Sequence, residues 1–168
     1  MANGAVSETD RMVITRVYEA PRELVWKAWT DPEYARQWWG PKGFTTPVYK
    51  MDFRVGGKFL ICMKSPDGQE FWNGGEYHEI VPHEKIVSSM YFSDSEGNKV
   101  NPEHYGIEHE AIDGAYDVTL FEDLGEGRTR LTFIGNETME SAKESGQAEG
   151  WEQILAKFAE IVEELARA

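Results

Sequence analysis

The chain has 168 residues, of which 40% are apolar and 28% charged, with 30 acidic side chains against 17 basic ones and a net charge of −13. This length suits one domain with a sizeable core, and so negative a chain is repelled by phosphate backbones and anionic lipid, which removes nucleic acid and membrane surfaces as leading partners. A lone cysteine, Cys62, excludes an internal disulfide framework and a multi-cysteine metal site.

The opening "MANGAVSETD" has neither a basic start nor an apolar run, so residues 1–9 read as a flexible segment rather than a leader. No stretch approaches the ~18 apolar residues of a membrane span, and a cytoplasmic location is the simplest expectation. "RMVITRVYEA" alternates β-branched and aromatic residues and predicts a strand over 12–19. In "APRELVWKAWT" the period changes. Pro21 fits a first helical position, and Leu24, Val25, Ala28 and Trp29 form one apolar stripe. "TDPEYARQWW" restarts the pattern with Asp31 as N-cap and Pro32 at N1, and Gly40-Pro41 stops this second short helix. Trp38, four residues after Tyr34, is expected to pack inward, while Trp39 is offset by about 100° and should border a pocket mouth.

The middle of the chain is strand and turn. "TPVYKMDFR" and "GKFLICMK" flank Gly56-Gly57, which reads as a tight turn or bulge, and "SPDGQ" turns into "EFWNGGEYHEI". Glycine inside that strand, at Gly74-Gly75, marks a bend or close approach by another group. "KIVSSMYF", "GAYDVTLFED" and "RTRLTFIG" supply three more strands, and the short connections favour an antiparallel meander of six or seven. Residues 93–113 interrupt it with six acids and one lysine and little periodicity, a functional or mobile loop. Last, "QAEGWEQILAKFAEIVEELARA" places Trp151, Ile154, Leu155, Phe158, Ile161, Val162 and Leu165 on one face of a helix over 147–166. At ~1.5–3 kcal/mol for each large side chain, that face must dock on the sheet. Cys62, in the apolar "KFLICMK", reads as a buried structural thiol.

The pieces "TRVYEAPRELVWKAWTDPEYARQWWGP", "DFRVGGKF", "PDGQEFWNGGEYHEIVPHEKIV" and "VTLFEDLGEGRTRLTF", with "GWEQILAKFAEIVEEL" at the end, occur in an order that resembles the helix-grip or START-like superfamily. The resemblance is to the branch named after the C-terminal domain of the activator of the heat-shock-protein-90 ATPase, and it covers about residues 10–166. It implies an α+β helix-grip domain over 10–168, with a curved antiparallel sheet of six or seven strands around a long C-terminal helix and two short helices after the first strand. In such a fold the aromatic and sulfur side chains Trp39, Phe59, Met63, Trp72, Tyr77, Met90, Trp151 and Phe158 come together from separate elements. With His109 and Glu108 as polar contacts, they are the candidates for binding a small hydrophobic or aromatic ligand.

Other roles stay open on the residues. A chaperone-accessory domain is implied by the branch's name, and a chaperone partner and a homodimer are further expectations. A cyclase or dehydratase would need Glu76, Tyr77 or His109 inside the cavity. No nucleophile elbow, phosphate loop or HExxH pattern is present, the histidines at 78, 83, 104 and 109 lack metal-ligand spacing, and neither metal nor cofactor is expected.

Overall fold

The computed structural model describes residues 10–106 and 116–168. The expectations for residues 1–9, Glu108 and His109 lie outside them. In chain order the elements are β1 (Arg11–Tyr18), α1 (Arg22–Thr30), α2 (Pro32–Trp38), β2 (Thr45–Met51), β3 (Lys58–Lys64), β4 (Glu70–Val81), β5 (Lys85–Ser93), β6 (Asp117–Gly125), β7 (Arg128–Thr138), α3 (Met139–Ser145) and α4 (Gln147–Arg167). A 3-10 turn, Pro102–Tyr105, follows β5.

The seven strands form one curved antiparallel sheet in the order β1-β7-β6-β5-β4-β3-β2, as the helix-grip pattern requires. The first strand returns to pair with the last, and the rest is a meander. Irregularities in the ladders at Arg11/Val13, Thr45/Val48, Tyr77/Glu79 and Asp123/Gly125 add bend and twist to the strands that carry them. Strand alternation divides the side chains between an inner and an outer face. Phe59, Ile61, Tyr77, Ile86, Phe121, Leu131 and Phe133 belong to the buried core on the inner one.

Helix α4 lies against that face with Trp151, Ile154, Leu155, Phe158 and Val162 buried. Ile161 and Leu165 are only partly covered. Phe158 is fully buried, with its ring 5.2 Å from those of Tyr18 and Trp29 and 5.0 Å from that of Trp38. The two short helices close one end. Asp31 caps α2 by accepting the Glu33 N–H at 2.9 Å, with Pro32 at N1 as predicted. Pro21 differs: its extended ψ of 151° makes it the cap of α1, one position before the helix. Lys157 on α4 donates to the Gly40 and Trp39 carbonyls at 3.1 and 3.4 Å, tying the terminal helix to the turn after α2.

Two glycine pairs resolve differently. Gly56 has φ +83°, the left-handed conformation of a tight turn, and a Cβ at Gly57 would meet the Asp52 carbonyl oxygen at 1.9 Å. Gly75 on the inner face leaves room for the Phe59 ring, which a Cβ would meet at 2.1 Å; Gly74 on the outer face leaves room for Tyr91, at 2.9 Å. The approaching groups are thus aromatic rings of neighbouring strands.

Helix α3 is an addition to the predicted elements. Thr138 caps it, its hydroxyl accepting the Ser141 N–H at 3.0 Å, and Gly146 at φ +86° ends it and begins α4. Among the described residues no helix is long and apolar enough to cross a membrane.

Candidate functional site

Where α4 and the sheet part, three adjoining chambers remain, with volumes of about 320, 270 and 50 Å³. Met90 on β5 and Trp151 on the first turns of α4 border all three. The reason for the space is the register of the sheet. Among the described residues β6 pairs with β5 only from Lys85–Leu120 to Ser88–Asp117; beyond that β5 continues its ladder with β4, and near its end the Val100 N–H donates to the Phe92 carbonyl at 2.8 Å and Ser93 bridges to Lys99. Met90 lies just beyond that last pair, facing α4 across the inner surface.

The largest chamber is apolar, between Phe44, Met63, Phe71 and Phe92 on one side and Trp151 and Ile154 on the other. Trp39 separates it from the smallest chamber, which reaches inward to Tyr49, Phe59, Tyr77 and Thr119. The chamber of about 270 Å³ runs along β7 and carries the acids Asp117 and Glu137 with Asn73.

Trp39 and Trp38 take separate positions, as a quarter-turn offset requires. Trp38 is fully buried, stacks on Trp29 at 4.5 Å and donates its indole N–H to the Ala28 carbonyl at 3.0 Å. Trp39 is 7% exposed, packs edge-on against Trp151 at 5.3 Å and Tyr49 at 5.9 Å, and lines two chambers. Trp151 is held from below by Phe133, stacked at 3.9 Å.

Of the candidates from the sequence, Trp39, Phe59, Met63, Tyr77, Met90 and Trp151 line these chambers. Phe158 does not: it lies in the packed core one helical turn and more beyond Trp151. Trp72 stands on the outer face, opposite Cys62 in the ladder, because it alternates with Phe71 and Asn73, which face inward. Glu76 shares that outer face, where its carboxylate lies 3.6 Å from His78. Cys62 is buried, and burial pushes its thiol up to about 11, consistent with a structural role.

Asp117 and Glu137 were not among the residues singled out in the sequence. Asp117 is 8% exposed, and burial pushes its carboxyl up to about 7. Arg11 and the Asn136 backbone N–H oppose that rise, and Glu137 adds to it. The Arg11 guanidinium donates from Nε to the Gly135 carbonyl at 2.8 Å and also to the Tyr116 carbonyl, so it braces β6 and β7 beside the acids. Glu137 is raised as well, by burial first, with the Ser141 hydroxyl opposing. The signal was present: Asp117, Thr119 and Phe121 alternate in one strand, so a strand that turns Phe121 inward turns Asp117 inward too. Among the described residues no group of three or more His, Cys, Asp or Glu could hold a metal ion.

The family model described as activator of Hsp90 ATPase homolog 1-like protein matches residues 19–163. Among solved structures, the chain is similar to a protein of Arthrobacter aurescens, with a TM-score of 0.78 at 24% identity, over 95% of this chain and 90% of that one. It is also similar to a protein of Chromobacterium violaceum, with a TM-score of 0.71 at 27% identity, over 92% and 98% of the two chains. A protein of Nitrosomonas europaea gives a TM-score of 0.73 at 20% identity, over 97% and 100%. No curated protein matches the chain in sequence.

Proposed function

The chain belongs to the family of activator of Hsp90 ATPase homolog 1-like proteins, and from that premise we propose that it binds a small hydrophobic or aromatic ligand between the sheet and α4. One observation carries the reading: Met90 and Trp151 border three chambers at once, making one branched space walled largely by aromatic and sulfur side chains. Such walls gain from burying an apolar ligand, roughly 25 cal/mol per Å² removed from water, and methionine adapts to irregular shapes. Convergent polar groups within an apolar cavity are the usual composition of a small-molecule site.

The test is a panel of fatty acids, sterols and polycyclic aromatics followed by tryptophan fluorescence, on the natural chain and on Met90→Trp. We expect saturable binding to at least one class, abolished by Met90→Trp while the circular dichroism spectrum stays the same. Binding that survives with the chamber junction filled would contradict the reading.

A second reading, proton transfer on the bound molecule, is favoured by Asp117, whose carboxyl is pushed to about 7, close to the working range of a general acid or base. Mass spectrometry of the incubated binders, with Asp117→Asn as control, separates it from binding alone. A product formed by the natural chain and lost in the variant supports it; recovery of unaltered ligand removes it.

A further inference from the structure

The smallest chamber differs from its neighbours in what its walls offer. Trp39 and Tyr77 both line it, at 7% and 6% exposure. Two other buried aromatic side chains of this core have partners: the Trp38 indole donates to Ala28, and the Tyr18 hydroxyl donates to the Leu155 carbonyl at 3.2 Å. The Trp39 indole N–H has none among the described residues. Nor does the Tyr77 hydroxyl enter any hydrogen bond among them; its ring packs on Phe53 at 5.0 Å and Phe59 at 5.2 Å.

A buried donor left without an acceptor has given up its hydrogen bond to water with nothing in return. Trp39 borders one small chamber together with Tyr77, so an acceptor that enters it can pair with both the indole N–H and the phenol O–H. At about 50 Å³ the chamber exceeds the ~10–15 Å³ that one water requires, which suits a single oxygen-bearing group. Asp117 is also in its wall. Near neutral pH that carboxyl is partly protonated, so it can donate to a neutral acceptor, whereas its ionised form repels an anion.

We propose that this chamber recognises the carbonyl oxygen of an uncharged aromatic ligand, with the Trp39 N–H and the Tyr77 O–H as donors and the ligand's apolar body in the outer chambers. The proposal rests on the binding reading above and narrows it to one ligand class. Aromatic bodies are favoured because Phe44, Phe71, Phe92 and Trp151 surround the outer space.

Matched probes test it: 2-acetonaphthone, its carbonyl-free analogue 2-ethylnaphthalene, and the anion 2-naphthoate, titrated calorimetrically into the full chain. The ketone should bind about tenfold more tightly than the hydrocarbon, the order expected for one or two buried hydrogen bonds. The carboxylate should bind no better than the hydrocarbon. Tyr77→Phe and Trp39→Phe each remove one donor while keeping a ring. Each should shrink the ketone preference, read as the ratio of ketone to hydrocarbon affinity within the same variant, by about threefold. Equal affinities for ketone and hydrocarbon, or a preference intact in both variants, overturn the proposal while leaving the cavity reading in place. Failure of all three probes to bind counts against the cavity reading itself.

Discussion

Asp117 places a carboxyl inside the sheet–helix space, facing Arg11 from β1 and Glu137 from β7. Because its folded-state pKa is raised to about 7, the native protein keeps a proton that the unfolded chain releases at ordinary carboxylate values. Stability contributed by this group is therefore full below about pH 4, falls as pH rises towards 7, and is flat above. Asp117→Asn removes the burial of that charge. Urea midpoints should show the variant more stable than the natural chain at pH 8, with little difference at pH 4. The gain at pH 8 should be a few kcal/mol, about 1.4 kcal/mol for each pH unit between the folded and unfolded pKa values. A variant less stable at pH 8 would mean that Arg11 holds the carboxylate ionised. The tryptophan pair makes a second contrast. Trp38→Ala should cost about 3–5 kcal/mol, because it empties a fully buried site. Trp39→Ala should cost less stability and more ligand affinity, since one side of its ring already faces chambers. Equal stability losses with unchanged binding would reduce both to core packing. Trp39 was legible in the sequence as the residue offset from a helical stripe. Trp72 was not legible as outward-facing, because both faces of "EFWNGGEYHEI" are rich in large side chains until the strand's register is known.

Helix α4 joins local propensity to global packing. Its apolar stripe was readable residue by residue, and its start at Gln147 agrees with the structure. The helix contributes both halves of the design: Phe158 and Val162 anchor it in the core, while Trp151 and Ile154 wall the cavity. Phe158→Asp should abolish cooperative melting, because an unpaired charge among Tyr18, Trp29 and Trp38 costs several kcal/mol. Native-like melting would show that α4 is not docked by that face. The seven residues of α3 escaped the sequence reading because they have one buried side chain, Ala142, and no apolar stripe; only the Thr138 cap and Gly146 marked them. The strands were legible from alternation and turn residues, since each short connection leaves an antiparallel neighbour as the natural partner.

In the whole molecule, the cavity arises from where two adjacent strands stop pairing, which no local pattern in either strand announces. Each of β5 and β6 reads correctly alone; that among the described residues they share four ladder pairs, ending at Ser88–Asp117, emerges from the register of the assembled sheet. Asp117 is consequently both the end of a ladder and part of a chamber wall, while the aromatic rings that define the outer space come from β4, β5, α4 and the turn before β2. The six tryptophans of the chain report on this arrangement from distinct places: Trp39 and Trp151 in the chamber walls, Trp29 at the inner chamber's edge, Trp38 in the core, Trp26 against Phe53 and Phe121, and Trp72 on the outer face. A titration of the ¹⁵N-labelled protein with 2-acetonaphthone, observing the indole N–H resonances, therefore locates the ligand directly. Trp39 and Trp151 should shift together and saturate, while Trp72 and Trp26 stay in place; shifts confined to Trp72, or proportional shifts of all six without saturation, would contradict a ligand site between the sheet and α4.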